Sequence, residues 1–549
     1  MHSLDNTAEI GKDLNLLSSQ PRVLAWRPNV RPRACHNLNM PGMNADIVNH
    51  CKYSSLTVFN VLARQTMAEK NIIIVGAGVF GLSTAMHLAQ RGYRNIKVFD
   101  KQPFDESQYS YFNGADAASA DMNKIIRSAY GDVSIYQDLS LEAIEAWKEW
   151  NTEIENSKTI PPGMETSDRV FLPNGNLSMT DSQQLSEFDL ATIKNSKPGT
   201  QLLTTDPEHR RLAAAKGIEF ALDPFAREQR GQANVAVLDT TGGTAVADKA
   251  CRLALHKARK WGVQFTLGSS AGKFESLLYN QSTGDTTVSG IRTSDGVEHR
   301  AKLVIMACGG WTPSLIHSLD NLCETTAGSV AFIKIPRSSQ LWNRFDPERF
   351  PTWQYKMRDG SERGLYGFAR DEDGWLKIGY RGTKYTNPVE FSDGKVRSVP
   401  ITRWSEGQAL TSIPRKALEV IQRFIDQHLP ELAQEGLEIS TTRLCWYNDS
   451  FDNHLVVDWV PGAKNLLVAT AGSGHAFKYL PVLGKYVIDV LESRELERPL
   501  LQAWRWRKQS EMEKPYNRIM EGASSSRALQ NIPLVPETGL RKQPCLSKL

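Results

Sequence analysis

The fold is decided by residues 71–100, NIIIVGAGVFGLSTAMHLAQRGYRNIKVFD. The opening apolar run to Val75 predicts a buried strand, the glycines that follow predict a turn, and the apolar spacing in residues 82–91 predicts a helix. Residues 96–99 predict a second strand, which ends at Asp100. Together these elements indicate a βαβ unit of about 30 residues.

The glycines of this segment fit the pattern G-x-G-x-x-G at Gly76, Gly78 and Gly81. In that pattern the first glycine makes a tight turn, the second lets the backbone approach a pyrophosphate, and the third lets the helix pack on the sheet. The helix N-terminus favours the phosphate charge, and Asp100 can accept hydrogen bonds from ribose. The motif does not separate NAD from FAD, and a glycine turn without a ligand is the alternative. The predicted nucleotide site comprises Gly76, Ala77, Gly78, Val79, Phe80, Gly81, Asp100 and Lys101.

Composition excludes several other classes of protein. The formal net charge is only +4 over 549 residues, which does not favour nucleic acid or an anionic membrane as a partner. No apolar run reaches the roughly 18 residues of a membrane helix, and no secretory signal is evident. Seven scattered cysteines without a CxxC suit a reducing compartment, and no metal-ligand cluster or Ser-His-Asp arrangement is indicated.

Further elements follow from the periodicity of the remaining chain. The sequence predicts helices over 136–156, 248–261 and 401–432, a helix ending at Leu491, strands over 263–267, 303–307 and 466–470, and strand-like alternation over 330–400. The charged tail from residue 500 onward is predicted to be a surface segment.

Four separated stretches resemble one enzyme family. They are GAGVFG, ADMNKIIRSAYGD (120–132), GWLKIGYRGT (374–383), and the segment 441–489, which contains LCWYNDSFDNH and ATAGSGHAFKY. Together they resemble the sarcosine oxidase-like amine oxidases of the D-amino-acid oxidase superfamily. The resemblance covers roughly residues 68–510 and is greatest to the fungal saccharopine, pipecolate and fructosyl-amino-acid oxidases.

The resemblance implies an α/β fold with two interleaved domains. A Rossmann-like FAD-binding domain would comprise residues 67–135, 216–320 and 440–500. An α+β substrate domain on a mixed or antiparallel sheet would comprise residues 136–215 and 321–439. Residues 501–549 would form a C-terminal tail.

The same resemblance implies FAD as the cofactor, joined covalently to a cysteine. Cys445 in LCWYND matches the cysteine that the family commonly links to the flavin 8α carbon, and a thiolate is a suitable nucleophile for that carbon. For a solitary cysteine the alternative is a small buried apolar residue. Cys308 is assigned to packing.

Two cations are implied as the receptor of a substrate carboxylate. Arg127 matches the family's carboxylate-binding arginine, and Lys478 matches its lysine partner. A guanidinium fork suits a planar carboxylate, and an ammonium group adds a second contact. Lys124 occupies a position where sarcosine oxidases have an arginine near the flavin, which keeps the charge but not the fork.

A second strand carries the residues implied for the reaction with oxygen. Lys377 in WLKIGY matches the lysine that activates O2, where a fixed positive charge stabilises a developing anion. The family has a histidine where this chain has Arg381, so substrate contacts on that side depart from the pattern. Tyr366 matches a tyrosine of the substrate pocket, with a core aromatic as the alternative.

The second glycine turn supplies the remaining predicted cofactor contacts. Gly472, Gly474 and His475 precede Lys478, and the backbone there is expected to face the flavin. His475 and His454 are interpreted as structural rather than as acid–base groups.

The function implied is oxidation of a secondary or N-substituted amino acid. A hydride equivalent would pass from carbon to flavin N5, giving an imine, and O2 would be reduced to H2O2. The alternatives are a biosynthetic oxidase that cyclises a modified, N-methyl aromatic amino acid, a flavin dehydrogenase that avoids oxygen, and a flavin-binding protein without catalysis. A monomer is expected.

The two ends of the chain carry separate expectations. Ser547-Lys548-Leu549 matches a peroxisomal address read by an import receptor, with a cytoplasmic location as the alternative. Met67 lies just before the first strand, so residues 1–66 are interpreted as a disordered extension. An organelle leader or an added structural element is the alternative.

Overall fold

The first glycine-rich segment forms the βαβ unit that the sequence predicts. Strand β1 is Ile72–Val75, helix α1 is Val79–Arg91, and strand β2 is Ile96–Asp100. Strands β1 and β2 are parallel, with Ile72 opposite Ile96. All residues of β1 are buried, as expected for a central strand of a parallel sheet covered on both faces.

A computed structural model describes residues 70–115, 117–280, 286–357, 364–405, 407–494, 498–509 and 515–537. The predicted N-terminal extension and the C-terminal Ser547–Leu549 lie outside these ranges. The remaining described helices are α2 (Phe104–Ser107), α3 (Ser134–Glu155), α4 (Glu187–Asn195), α5 (Pro207–Ala215), α6 (Ala247–Lys260), α7 (Thr312–Leu315), α8 (Arg415–His428), α9 (Pro430–Gln434), α10 (Leu483–Leu491) and α11 (Pro499–Ala503). The remaining described strands are β3 (Asn123–Ile126), β4 (Phe171–Leu172), β5 (Asn176–Thr180), β6 (Gln201–Leu203), β7 (Ala236–Asp239), β8 (Gly243–Val246), β9 (Gln264–Leu267), β10 (Phe274–Tyr279), β11 (Val288–Thr293), β12 (Glu298–Arg300), β13 (Leu303–Met306), β14 (Cys323–Lys334), β15 (Thr352–Lys356), β16 (Leu365–Gly367), β17 (Trp375–Tyr385), β18 (Pro388–Glu390), β19 (Val396–Ser398), β20 (Ile413–Pro414), β21 (Ile439–Ser450), β22 (Val456–Trp459), β23 (Leu466–Thr470) and β24 (Leu534–Val535).

A six-stranded sheet carries the nucleotide motif. Its strand order is β22-β23-β13-β1-β2-β9, and all neighbours are parallel except β22, which is antiparallel to β23. Helices α6 and α10 pack against α1. The contact with α10 is close, because a Cβ on Gly484 would lie 2.1 Å from the carbonyl oxygen of Ser83. The carboxyl ends of β1 and β23 lead into the two glycine turns at the same edge of the sheet.

An eight-stranded mixed sheet carries the second set of predicted residues. Its order is β21-β14-β17-β16-β15-β5-β7-β6, antiparallel throughout except for the parallel pair β5–β15. Helix α8 packs on β14 and β17 through a face that includes Ile421 and Phe424. This confirms the predicted α/β class with a mixed sheet beside the Rossmann-like one.

Two expectations from the sequence are wrong. Residues 401–405 and 407–412 are not helical, and helix α8 begins only at Arg415, directly after Pro414. Proline has no N–H to continue a helical ladder, so a helix starts after it rather than running through it. The tail is not only a surface segment, because Trp504 is fully buried and β24 pairs with β20.

All described residues belong to one compact unit. The division into an FAD-binding and a substrate domain at the stated boundaries therefore stays a prediction. Among the helices of the described ranges, none has the length and apolar character needed to cross a membrane.

Candidate active site

A cavity of about 1080 Å³ lies where the two sheets meet. Most of the predicted site residues line it, whereas Ala77, Gly81 and Cys445 do not. The predicted residues that line the cavity are Gly76, Gly78, Val79, Phe80, Asp100, Lys101, Lys124, Arg127, Tyr366, Lys377, Gly472, Gly474, His475 and Lys478. One cavity therefore holds both glycine turns and the predicted cations.

The first glycine turn leaves no room for side chains. Gly76 has φ of 108°, and a Cβ there would lie 2.3 Å from the carbonyl oxygen of Ala307. A Cβ on Gly81 would lie 1.8 Å from the carbonyl oxygen of Gly76, and one on Gly78 would lie 3.1 Å from Ser119 Oγ. The turn therefore brings bare backbone and the N-terminus of α1 to the cavity wall, as a pyrophosphate requires.

Asp100 is placed beside this turn. Its Oδ2 accepts a hydrogen bond of 2.7 Å from the Ala77 N–H, and its Oδ1 accepts one of 2.8 Å from the Gln102 N–H. Burial raises the pKa of Asp100, against these two hydrogen bonds. Lys101 lies next to it, with Nζ 4.0 Å from the centre of the Trp311 ring. The carboxylate thus shapes the turn as well as facing the cavity.

The second glycine turn fixes His475 as a neutral ring. Its Nε2 donates to the carbonyl oxygen of Asn453 at 3.0 Å, so Nδ1 is free to accept from the Tyr130 hydroxyl at 3.0 Å. Burial, followed by the charge of Lys478, lowers the pKa of His475 to about 3. His475 is therefore uncharged near neutral pH, in keeping with the structural role that the sequence suggested.

Arg127 and Lys478 converge on one tyrosine. The Lys478 ammonium donates to the Tyr130 hydroxyl at 2.9 Å and lies 4.7 Å from the centre of its ring, while the Arg127 guanidinium lies 4.6 Å from that centre. Lys478 is 4% exposed, and burial, followed by Arg127, lowers its pKa well below the ordinary lysine value. Among the described residues no carboxylate forms an ion pair with either cation. An anion would relieve the repulsion between them.

Lys377 and Lys124 form a different cluster around Asp121. The Asp121 carboxylate accepts from Lys377 at 2.7 Å and from Lys124 at 2.5 Å, and Lys377 also donates to the Asn123 carbonyl at 2.9 Å. Burial alone would raise the pKa of Asp121, but the lysines outweigh it and the pKa is lowered. Burial lowers the pKa of Lys377 to about 8, against the opposing effect of Asp121. Lys377 is thus held as a buried charge at the cavity wall.

Tyr366 and Cys445 differ in their access to the cavity, because Tyr366 lines it and Cys445 does not. The Tyr366 ring covers Gly379, where a Cβ would lie 2.2 Å from Cζ, and its hydroxyl lies 3.5 Å from that of Tyr447. Cys445 is buried on β21, and Arg443 Nη2 lies 3.7 Å from its Sγ. The predicted packing residue Cys308, in contrast, does line the cavity.

Several residues at the site were not singled out from the sequence. Asp121 and Tyr130 stand inside the quoted stretch ADMNKIIRSAYGD, and the spacing of Asp121 three residues before Lys124 was the available signal for an ion pair. Ser119, whose Oγ accepts from the Val79 N–H at 2.9 Å, and Arg443 had no local signal. In the described part of the chain no group of three His, Cys, Asp or Glu residues is arranged to hold a metal ion.

The glycine cradle, the buried cations and the Rossmann-like sheet define a dinucleotide-dependent oxidoreductase. The family described as "DAO: FAD dependent oxidoreductase" matches residues 71–490, and the chain belongs to this family. The cofactor is therefore FAD, and the two glycine turns, Asp100 and Lys101 line the cavity where they could hold it.

Individual relatives agree with this family. The chain is 28% identical over 451 residues to L-saccharopine oxidase of Schizosaccharomyces pombe, covering 80% of this chain and 93% of the relative. It is 23% identical over 432 residues to human peroxisomal sarcosine oxidase, covering 77% and 93%. A crystal structure of a modified fructosyl peptide oxidase from Aspergillus nidulans aligns with a TM-score of 0.67 at 25% identity, covering 85% and 99%.

Proposed function

We propose that this protein is an oxidase of secondary or N-substituted amino acids. The observation that carries the proposal is the pair Arg127–Lys478, two cations without a carboxylate partner among the described residues, in the cavity of the glycine turns. Relatives named as oxidases of L-saccharopine and sarcosine support the same class of substrate.

The substrate carboxylate binds between Arg127 and Lys478. The guanidinium offers two parallel N–H groups to the carboxylate, and the ammonium adds a third donor. Because an anion favours the charged form of a neighbouring lysine, the bound carboxylate raises the pKa of Lys478 from its lowered value. Binding of the substrate carboxylate therefore relieves the repulsion between Arg127 and Lys478 that is present in the free site.

Bound FAD supplies the two-electron oxidation, in which the amine loses a C–H hydrogen and an N–H proton to become an imine and O2 is reduced to hydrogen peroxide. Binding of the carboxylate fixes the position of the reacting carbon, and the bound substrate displaces water from the site. Lys377 holds a positive charge at the cavity wall and stabilises negative charge that develops on oxygen. Asp121 keeps that ammonium in place.

The direct test is peroxide release by the purified holoenzyme in air. We expect peroxide with N-methylglycine, pipecolate or larger N-substituted amino acids, and none with the corresponding primary carboxamides. Reduction of the flavin without peroxide, together with rapid transfer to an artificial acceptor, would favour the dehydrogenase alternative. Absence of reduction by every amino acid of the panel would contradict the proposal.

Covalent attachment of the flavin to Cys445 is part of the proposal. It is supported by the match of Cys445 to the family's flavin-linked cysteine, and the buried Sγ has a polar neighbour, because Arg443 Nη2 donates to it at 3.7 Å. The flavin should remain with the protein after acid denaturation, and Cys445→Ala should release it. Cys308→Ala is the matched control, since Cys308 also borders the cavity. Release from the Cys308 variant, but not from the Cys445 variant, would contradict the assignment.

Peroxisomal location is also proposed. It is supported by the terminal residues SKL and by a human relative whose name places it in peroxisomes. Residues 540–549 fused to a fluorescent protein should direct it to peroxisomes in cells, and the same fusion lacking the last three residues is the control. A diffuse signal from the full fusion would contradict the proposal.

A further inference from the structure

A second cationic group lines the cavity beyond Lys377. Arg381 lies four residues after Lys377 on β17, and both side chains reach the cavity. Gly379 lies between them, and the Tyr366 ring occupies the space that its missing side chain leaves. Lys377 and Arg381 therefore line the same side of the cavity but are separated by the Tyr366 ring.

The Arg381 guanidinium is held by an aromatic face and a glycine. It lies 4.3 Å from the centre of the Tyr447 ring. A Cβ on Gly474 would lie 1.7 Å from Arg381 Nη1, so the guanidinium rests on the bare backbone of the turn that leads to Lys478. Burial and, after it, the charges of Lys478, Arg127 and Arg381 lower the pKa of His475. Arg381 therefore lies in the same part of the cavity as the proposed carboxylate site.

The charges around Arg381 are not balanced. Arg381 Nη2 donates to Asp449 Oδ1 at 3.1 Å, and Lys384 Nζ lies 3.3 Å from Oδ2 of the same carboxylate. The other partner of Lys384 is the neutral amide oxygen of Asn517, at 2.6 Å. Two cations thus share one fully buried carboxylate, and Arg381 Nε has no hydrogen-bond partner among the described residues.

We propose that Arg381, supported by Lys384, binds a second carboxylate of the substrate, carried on the other substituent of the reacting nitrogen. The inference rests on the proposed function and narrows its substrate class to amino acids whose nitrogen bears an acidic substituent. A carboxylate at this point would complete the charge balance of Arg381, Lys384 and Asp449. Burial, opposed by Asp449, lowers the pKa of Lys384 to about 8, so the added anion would also favour its charged form.

The test compares two substrates that differ only at the distal group. N-(carboxyalkyl) amino acids with two to four methylenes are assayed beside the same compounds with the distal carboxylate as a primary amide, and peroxide release gives kcat/KM. We expect the free acid of the best chain length to be preferred about 10- to 100-fold, as for loss of a charged hydrogen-bond partner. This comparison uses only the native holoenzyme.

Variants then assign the preference to Arg381. Arg381→Gln should bring the ratio of acid to amide close to one, and Arg381→Lys should retain part of it. Lys384→Met should also reduce the ratio of acid to amide. It provides a second test in case Arg381→Gln does not fold. Arg370→Gln is the matched control, because Arg370 pairs with Asp346 outside the cavity, and its ratio should equal that of the native enzyme.

The outcomes separate the two proposals. Equal turnover of acid and amide, or an unchanged ratio in Arg381→Gln, would overturn this inference and leave the oxidase function standing. Absence of peroxide from both compounds and from every N-substituted amino acid would overturn both.

Discussion

The two lysine sites of the cavity differ in how their charge is compensated. Lys377 and Lys124 share the buried carboxylate of Asp121, at 2.7 Å and 2.5 Å. Lys478 instead donates to the neutral hydroxyl of Tyr130 and lies beside a second cation, Arg127. Burial lowers the pKa of both Lys377 and Lys478, but that of Lys377 stays at about 8, whereas that of Lys478 falls well below the ordinary value.

This difference in charge compensation suits the two clusters to different roles, a fixed charge beside Asp121 and an anion-binding site at Arg127 and Lys478. A cation with its own buried carboxylate is satisfied before any ligand arrives and serves as a permanent field. A cation pair without one stores repulsion that an incoming anion relieves. Under the proposed function, the cluster around Asp121 supplies a fixed charge and the pair Arg127–Lys478 binds the substrate carboxylate.

Removing the carboxylate of the compensated cluster should have the largest effect on stability. Asp121→Asn leaves Lys124 and Lys377 as buried like charges, and we expect the free energy of unfolding at pH 7 to fall by about 3–5 kcal/mol. Denaturant unfolding of the holoenzyme measures it. The control Asp105→Asn breaks an exposed pair with Arg259 and should cost less than about 1 kcal/mol.

The loss of stability in Asp121→Asn should depend on pH in a defined direction. A lysine whose pKa in the folded state lies below its unfolded value destabilises the fold while charged, and this cost is relieved as pH rises toward the unfolded value near ~10.4. The deficit of Asp121→Asn should therefore narrow between about pH 7 and pH 10. A deficit that widens with pH would show that Asp121 does not compensate the lysines.

Lys377→Met should remove the fixed charge with little change in substrate binding. We expect the rate of flavin reoxidation by O2 to fall about 10²- to 10³-fold, as for loss of one preorganised electrostatic group. Stopped-flow mixing of reduced enzyme with O2 measures it, and the anaerobic reduction rate of the same variant is the internal control. In the native enzyme this reoxidation rate should decline as pH rises through about 8, where Lys377 loses its proton.

Arg127→Gln should weaken substrate binding and leave flavin reoxidation unchanged, which is the reverse of the effects expected for Lys377→Met. We expect kcat/KM for an N-substituted amino acid to fall about 10- to 100-fold, mainly through KM, because one charged hydrogen-bond donor is lost. Reoxidation by O2 should stay close to the native rate. Arg230→Gln, which breaks a pair with Glu431 outside the cavity, is the control. A loss confined to reoxidation would reverse the assignment of the two sites.

Tyr130→Phe should have the smallest effect. It removes the neutral hydroxyl that accepts from the Lys478 ammonium and keeps the aromatic face over which both cations lie, so KM should rise about 2- to 10-fold. Steady-state kinetics in air measures the change. A loss of more than about 100-fold in the anaerobic reduction rate would show that the hydroxyl takes part in the reaction rather than in positioning.

The sequence predicted what local pattern determines. The βαβ unit and the glycine turn followed from periodicity and spacing, because each depends on neighbouring residues, whereas the mixed sheet was implied by the family resemblance. Asp121 was missed, since its partner Lys377 lies 256 residues away and only the pairing of distant strands brings the two together. The unpartnered guanidinium nitrogen of Arg381 depends in the same way on Asp449 and on the bare backbone at Gly474.

Two errors show where local pattern gives way to tertiary structure. Apolar spacing predicted a helix from residue 401, but Pro414 and the pairing of β20 with β24 place its beginning at Arg415. The charged tail was assigned to the surface, yet it contributes Trp504 and Val535 to the buried interior. Pro414 was a local signal for the beginning of the helix, whereas burial of the tail depends on contacts with distant segments.

Anaerobic titration of the holoenzyme shows whether Arg127 and Lys478 bind the substrate carboxylate. An N-substituted amino acid and its carboxamide are added in turn while the visible absorbance of the flavin is followed. We expect bleaching by the free acid at concentrations at which the amide leaves the flavin oxidised, with loss of that distinction in Arg127→Gln. Equal bleaching by acid and amide, or no bleaching by any member of the series, would contradict a carboxylate site at Arg127 and Lys478.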